Sequence, residues 1–168
     1  VVVPLFRSES GIDVLVSRLT ELSVEFESEL EAVFVIDGSP DNSWNVLLER
    51  YKNFPFKATL VNLSRNFGAI AATRQGLRHA TGEAIVVMSA DCQEPLPLIV
   101  SLLRAVKDQG FEIAVGVRTK RSDPYLTRLL SGIFWRIFRA SHGGSIPKRG
   151  VDVFAVSARV ASLIDRKS

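Results

Sequence analysis

The chain has 168 residues, 46% hydrophobic and 23% charged, enough for one domain with a full core and too apolar for a disordered segment. A net charge of only +3, without a dense basic cluster, argues against a nucleic-acid partner. A single cysteine excludes an internal disulfide framework and a cysteine-rich zinc site, and no run reaches the roughly 18–20 apolar residues that span a bilayer.

In chain order, apolar runs predict strands at 1–4, 31–37, 57–63, 84–90, 112–118 and 151–157. Helical periodicity lies between them at 11–26, 43–52, 67–80, 95–109 and 124–140. The runs EAVFVID (31–37) and EAIVVMSA (83–90) are almost unbroken, as expected of central parallel strands covered on both faces. Alternating β and α at this spacing predicts an α/β fold with a mostly parallel central sheet flanked by helices. The chain opens without Met, directly in a strand, and closes on VASLIDRKS in a helical pattern. It therefore reads as a single domain, 1–168, from a longer protein.

Sheets of this kind bind ligands beyond the carboxyl ends of their strands. The segments that fall there are PLFRSES, DGSPDNS, LSRNFG and SADCQEP, which bring Asp37, Asp41, Arg65, Asn66, Asp91, Gln93 and Glu94 toward one edge. Each has a plain structural reading as well. In DGSPDNSW, glycine and proline make a turn and Asn42 or Ser43 caps the next helix, whereas Asp37 closes an apolar strand and reads equally well as a ligand contact. In LSRNFG, Arg65 can present its fork to a base or phosphate, and it can equally be a surface arginine at a helix start.

In SADCQEP, Asp91 offers a carboxylate and Gln93 a carbonyl oxygen, hard donors suited to Mg²⁺ or Mn²⁺. An extended backbone would point both the same way, with Ser89 joining through a water or a ribose hydroxyl. The alternative makes Asp91 a cap for a helix with Pro95 in its first turn. No base partner is placed to make Cys92 a nucleophile. His79 and His142 lack partners at metal-binding spacing.

Arg118, Lys120 and Arg121 follow the fifth strand, where they form either a solvated loop or a phosphate-neutralising cluster. The segment 123–141 carries apolar residues at 126, 129, 130, 133, 134, 137 and 138, a helical stripe. It suits packing against the core or another subunit in a homo-oligomer. Lying on a membrane surface is the other reading.

The ordered set PLFR (4–7), VIDGSPD (35–41), LSRNFG (63–68), SADCQEP (89–95) and GVR (116–118) resembles the family-2 glycosyltransferases over nearly the whole chain. It is most similar to the branch acting on polyprenyl phosphates, which includes dolichol-phosphate mannose synthase. The resemblance implies a GT-A nucleotide-binding sandwich that takes a UDP- or GDP-sugar donor with Mg²⁺ or Mn²⁺. It implies nucleotide contacts from Pro4, Phe6, Arg7, Asp37, Arg65, Ser89, Ala90 and Asp91, and a metal held by Asp91, the acid of the family's DxD signature, with Gln93. Arg118, Lys120 and Arg121 would face phosphates, with Arg118 serving catalysis, and Asp152 would lie near the acceptor.

Three positions depart from the family pattern. Ile36 stands where a first acid is common, Ser89 replaces the first Asp of Asp-x-Asp, and Ser8 and Glu9 compete for the acid after the opening proline. The expected activity is inverting transfer of a sugar to a lipid-linked phosphate at the cytoplasmic face of a membrane. A hydroxyl acceptor would instead need Asp152 or Glu94 as base, and a non-catalytic nucleotide-binding module is the third reading. A Rossmann dehydrogenase is disfavoured because no G-x-G-x-x-G follows the first strand.

Overall fold

The computed structural model describes residues 1–27, 29–116 and 153–165. Val1–Val115 with Val153–Ser168 make one unit and Gly116–Asp152 another, of which Gly116 alone is among the described residues. The helix expected at 124–140 lies outside the described residues, as do Arg118, Lys120, Arg121, His142 and Asp152.

The described strands are β1 (Val2–Leu5), β2 (Glu31–Ile36), β3 (Lys57–Asn62), β4 (Ala84–Val87), β5 (Ile113–Gly116) and β6 (Val153–Ser157). The helices are α1 (Ile12–Glu25), α2 (Ser43–Tyr51), α3 (Ala69–His79), α4 (Leu96–Lys107) and α5 (Ala158–Asp165), with a short 3-10 turn at Glu9–Gly11. All six strands join one sheet in the order β3-β2-β1-β4-β6-β5. β1 pairs in parallel with β2, Val2 opposite Val33 through Leu5 opposite Ile36, and also with β4. β2 and β3 are parallel, whereas β6 runs antiparallel to β4. The mostly parallel α/β sheet read from the sequence is therefore what the chain forms.

Alternation along the strands divides the core in two. Val3, Leu5, Ala32, Phe34 and Ile36 pack on one face with Ile12, Leu15, Leu19 and Leu22 of α1, Leu47 of α2, and Ile99, Leu102, Leu103 and Val106 of α4. Those helix residues recur every three or four positions, so each helix turns one stripe to the sheet. Val2, Val33, Val35, Ile85 and Val87 pack on the other face with Ala72 and Leu77 of α3 and Ala161 of α5. This two-sided burial is why the strand sequences run apolar without a polar alternate.

α3 comes unusually close to the sheet at Gly76. A Cβ there would lie 2.2 Å from Val2 Cγ1 and 3.2 Å from Val35 Cγ2, so the absence of a side chain sets the helix-to-sheet distance.

The strand order places a topological switch at β1. The chain steps outward from β1 to β2 and β3, then returns to lay β4 against the other side of β1. The loops leaving β1 and β4 consequently diverge and leave a crevice beyond their carboxyl ends, the usual ligand position in open α/β sheets.

Candidate functional site

A cavity of about 390 Å³ occupies that crevice, lined by Pro4, Phe6, Arg7, Ser8, Ser10 and Gly11 from the β1 side and Ser89, Ala90 and Asp91 from the β4 side. Six of the residues predicted to touch nucleotide thus meet in one wall-to-wall arrangement across about eighty residues of chain: Pro4, Phe6, Arg7, Ser89, Ala90 and Asp91. Ser8, Ser10 and Gly11 join them without having been singled out as contacts. The signal that points to them is their place directly after β1, at the switch.

The β4 side is shaped by a turn rather than by an extended strand. β4 stops at Val87, the Cys92 N–H donates to the Ser89 carbonyl at 3.4 Å, and Cys92 takes a left-handed φ of 54°. The extended backbone expected to aim Asp91 and Gln93 the same way is therefore absent. Asp91 Oδ1 accepts the Gln93 N–H at 3.3 Å, Asp91 lines the cavity, and Gln93 is not among the lining residues.

Asp91 is no cap for the next helix either. α4 begins at Leu96 with Pro95 at its N-cap and no side-chain cap bond. Its carboxylate instead stands exposed at the cavity wall. Glu94, by contrast, is 8% exposed and folds back so that its Oε1 accepts the Ser89 N–H at 3.4 Å. Burial, together with the charges of Glu94 and Asp91, pushes the Cys92 thiol up against the opposing pull of Arg18, which keeps it protonated and unreactive.

The β2 side supports the cavity from behind. Asp37 is 3% exposed at the end of β2. Its Oδ1 accepts the Phe67 N–H at 2.7 Å and its Oδ2 the Gly68 N–H at 2.8 Å, so it fastens the loop that starts α3. Between them lies Gly38, with φ of 55°, where a Cβ would sit 2.1 Å from the Arg65 carbonyl carbon and 2.4 Å from the Asn66 nitrogen. Only glycine lets these two backbones pass. The same loop holds the Arg65 guanidinium over the Phe67 ring, 4.6 Å from its centroid, a cation–π pair at the surface. Neither Asp37 nor Arg65 is among the residues lining the cavity.

Asn42 takes the N-cap position of α2, as the sequence allows, but makes no side-chain cap bond. Neither Asn42 nor Ser43 serves as its side-chain cap. Asp41 does, accepting the Ser43 N–H at 3.2 Å through Oδ1. It also receives the hydroxyls of Ser39 and Ser43 at 2.6 Å each and the Glu9 N–H at 3.1 Å. Burial alone would raise its pKa, but these hydroxyl and N–H donors outweigh burial and hold the carboxyl at about 2.

No cluster of three or more His, Cys, Asp or Glu placed to hold a metal ion occurs among the described residues. The donors at the cavity nevertheless suit a divalent ion. Asp91 gives one exposed carboxylate, and Mg²⁺ characteristically takes one or two such groups and completes its shell with phosphate and water.

Comparison with known proteins bears on the family and the fold. The family model for glycosyl transferase family 2 matches residues 1–158. An uncharacterized glycosyltransferase of Bacillus subtilis (strain 168), YkcC, is 34% identical over 148 residues, covering 88% of this chain and 45% of that protein. The chain thus spans about half the length of the curated relative it matches. Among solved structures, a mannosyltransferase from Pyrobaculum calidifontis in complex with GDP-Man and Mn²⁺ superposes with a TM-score of 0.65 at 18% identity, covering 97% of this chain and 45% of that one. Glucosyl-3-phosphoglycerate synthase from Mycobacterium tuberculosis, with Mn²⁺, UDP-glucose and phosphoglyceric acid, gives 0.62 at 18% identity, covering 95% and 56%. At these identities the structures speak for the fold, a GT-A α/β sandwich, and the sequence match speaks for the lineage. The chain belongs to glycosyl transferase family 2.

Proposed function

We propose that residues 1–168 are the GT-A catalytic domain of a longer protein that transfers a sugar, with inversion, from a nucleotide-diphosphate sugar to a lipid-linked phosphate. The observation that carries this reading is the cavity at the β1–β4 switch, with Asp91 on one wall and Phe6 and Arg7 on the other. Nucleotide would lie against Pro4 to Arg7, Ser89 and Ala90. Asp37 and Arg65 do not line the cavity; in this reading Asp37 holds the loop that carries Arg65.

A Mg²⁺ or Mn²⁺ ion held by Asp91 would supply positive charge to the departing diphosphate; Gln93, which does not line the cavity, would need the Ser89–Cys92 turn to open before it joined. Arg118, Lys120 and Arg121 are assigned to the same phosphates. Attack by an acceptor phosphate oxygen forms the new bond to the anomeric carbon as the bond to diphosphate breaks. Such an acceptor is already ionised and needs no base.

A hydroxyl acceptor, as in polysaccharide synthesis, would need one. Glu94 is buried on the Ser89 N–H and does not itself line the cavity, which leaves Asp152 for that role. In this reading the protein works at the cytoplasmic face of a membrane, which 123–141 touches. None of the described helices is long and apolar enough to cross one.

The deciding experiment titrates the full-length protein and Asp91→Ala with UDP and GDP, each with and without Mn²⁺, and then supplies polyprenyl phosphate with the matching sugar donor. Metal-dependent binding of one nucleotide, lost in the variant, and a lipid-linked sugar product support the reading. A folded sample that binds neither nucleotide sinks the donor site and leaves the scaffold alternative. Binding with transfer only to hydroxyl acceptors sinks the lipid-phosphate acceptor.

A further inference from the structure

Asp41 is not among the residues lining the cavity, yet the cavity's β1 wall hangs from it. Three consecutive backbone N–H groups of that wall end on this one carboxylate. The Arg7 N–H donates to Ser39 Oγ at 2.7 Å, and Ser39 Oγ donates to Asp41 Oδ1 at 2.6 Å. The Ser8 N–H donates to Ser43 Oγ at 3.2 Å, and Ser43 Oγ donates to the same Oδ1 at 2.6 Å. The Glu9 N–H donates directly to Oδ2 at 3.1 Å, and Glu9 returns the link by accepting the Asn42 N–H at 3.1 Å.

The arrangement has a reason in backbone energetics. Arg7 sits at a φ of 52°, a left-handed conformation that is disfavoured for a non-glycine residue. A strained residue persists only where its surroundings over-determine it. Here the Ser39 hydroxyl holds the Arg7 N–H, and Asp41 fixes which way that hydroxyl points. Ser43, itself fully buried, does the same for Ser8. The wall that carries Phe6, Arg7 and Ser8 is thus set before any ligand arrives.

We propose that Asp41 is a positioning residue for nucleotide binding: through Ser39 and Ser43 it pre-orders the Phe6–Glu9 segment against which the nucleotide lies. The inference rests on the nucleotide reading of the cavity given above. Pre-ordering a loop raises affinity by removing the entropy cost of fixing it on binding. It acts on the wall opposite Asp91, so the gain from a metal ion is untouched.

The test measures UDP and GDP affinity on the full-length protein, with and without Mn²⁺, for wild type, Asp41→Ala, Asp41→Asn and Ser39→Ala. Asp41→Ala weakens binding about tenfold, equally in both conditions, so the factor by which Mn²⁺ strengthens binding stays at its wild-type value. Asp41→Asn keeps one acceptor oxygen for the two serine hydroxyls and recovers part of the loss. Ser39→Ala releases only Arg7 and leaves Asp41 bonded to Ser43 and Glu9, so it reports even if Asp41→Ala fails to fold. Its expected loss is a few-fold. Variants that bind within twofold of wild type, or that lose the Mn²⁺ factor instead, overturn the positioning role while the nucleotide reading stands. A wild-type protein that binds neither nucleotide overturns both.

Discussion

The carboxylate of Asp37 and the backbone N–H of Gly68 meet at 2.8 Å, joining the end of β2 to the start of α3. With the Phe67 N–H on its other oxygen, Asp37, itself buried, makes two charge-assisted bonds to a half-exposed loop. Such bonds contribute roughly 1.5–3 kcal/mol each; without Asp37 the Phe67 N–H loses this acceptor, while the Gly68 N–H keeps Asn66 Oδ1 at 2.9 Å. Asp37→Ala is therefore expected to lower unfolding free energy by about 3 kcal/mol, and Asp37→Asn, which keeps one acceptor, by roughly half that. Urea denaturation at constant slope reads this directly. A loss below about 1 kcal/mol would show that water replaces Asp37 at the loop.

Gly76→Ala separates two effects of opposite sign. Alanine in a helix interior is favoured over glycine by about 1 kcal/mol. Here its methyl would meet Val2 Cγ1 at 2.2 Å, and overpacking a core costs about 1–3 kcal/mol. Net destabilisation is expected, and pairing it with Val2→Ala, which removes the clashing methyl, restores part of the loss. Additive losses in the double variant would contradict the contact.

Asp91→Ala should leave stability within about 0.5 kcal/mol of wild type, because the side chain is exposed. Nucleotide affinity in Mn²⁺ should fall about a hundredfold, since even outer partners of metal ligands are worth 10–100-fold. Calorimetric binding set beside a melting curve makes the comparison. A large drop in melting temperature would assign Asp91 to the fold instead.

Acid should loosen the β1–β2 loops through Asp41. Its carboxyl titrates at about 2 in the folded chain against an ordinary value of 3.8. A depressed carboxylate stabilises the fold fully above its unfolded pKa, and the contribution fades as pH falls from about 4 toward 2. Solvent screening at this open site keeps it near 1 kcal/mol. Asp41→Asn should therefore be less stable than wild type at pH 6 and converge with it near pH 2. Parallel stability curves down to pH 2 would contradict the assignment.

The elements proved legible wherever apolar periodicity was strong. The runs at 31–37 and 57–63 become β2 and β3 within a residue; β2 is buried almost throughout, and the half-buried edge strand β3 still carries Ala58, Leu60 and Val61 toward the core. The turn at Ser89–Cys92 was not legible. Nothing in the composition of SADCQ marks a left-handed Cys92, since that conformation is imposed by what surrounds it. Asn42 takes the N-cap position of α2 as expected, but the side-chain bond to the helix comes from Asp41 one residue earlier, for a similar reason. Asn42 and Ser43 have the right chemistry locally, but Asp41 also reaches the β1 loop, a partner more than thirty residues away that sequence spacing cannot show. Convergence at one sheet edge was readable from β/α alternation alone. That the edge is a crevice between β1 and β4 needed the strand order.

That order has a consequence for how the molecule comes to exist. β1 precedes the other described strands in the chain, yet it lies in the interior of the sheet, with β2 on one side and β4 on the other. β4 in turn needs β6, which begins only at Val153. A chain emerging from the ribosome therefore holds the apolar strand β1 half-covered until residue 87 and beyond has followed it. Contacts this distant in sequence make folding slow and leave early apolar surface open to association. The two walls of the cavity come from opposite ends of that wait, so ligand binding marks a late stage of maturation and gives a direct readout of correctly completed chains.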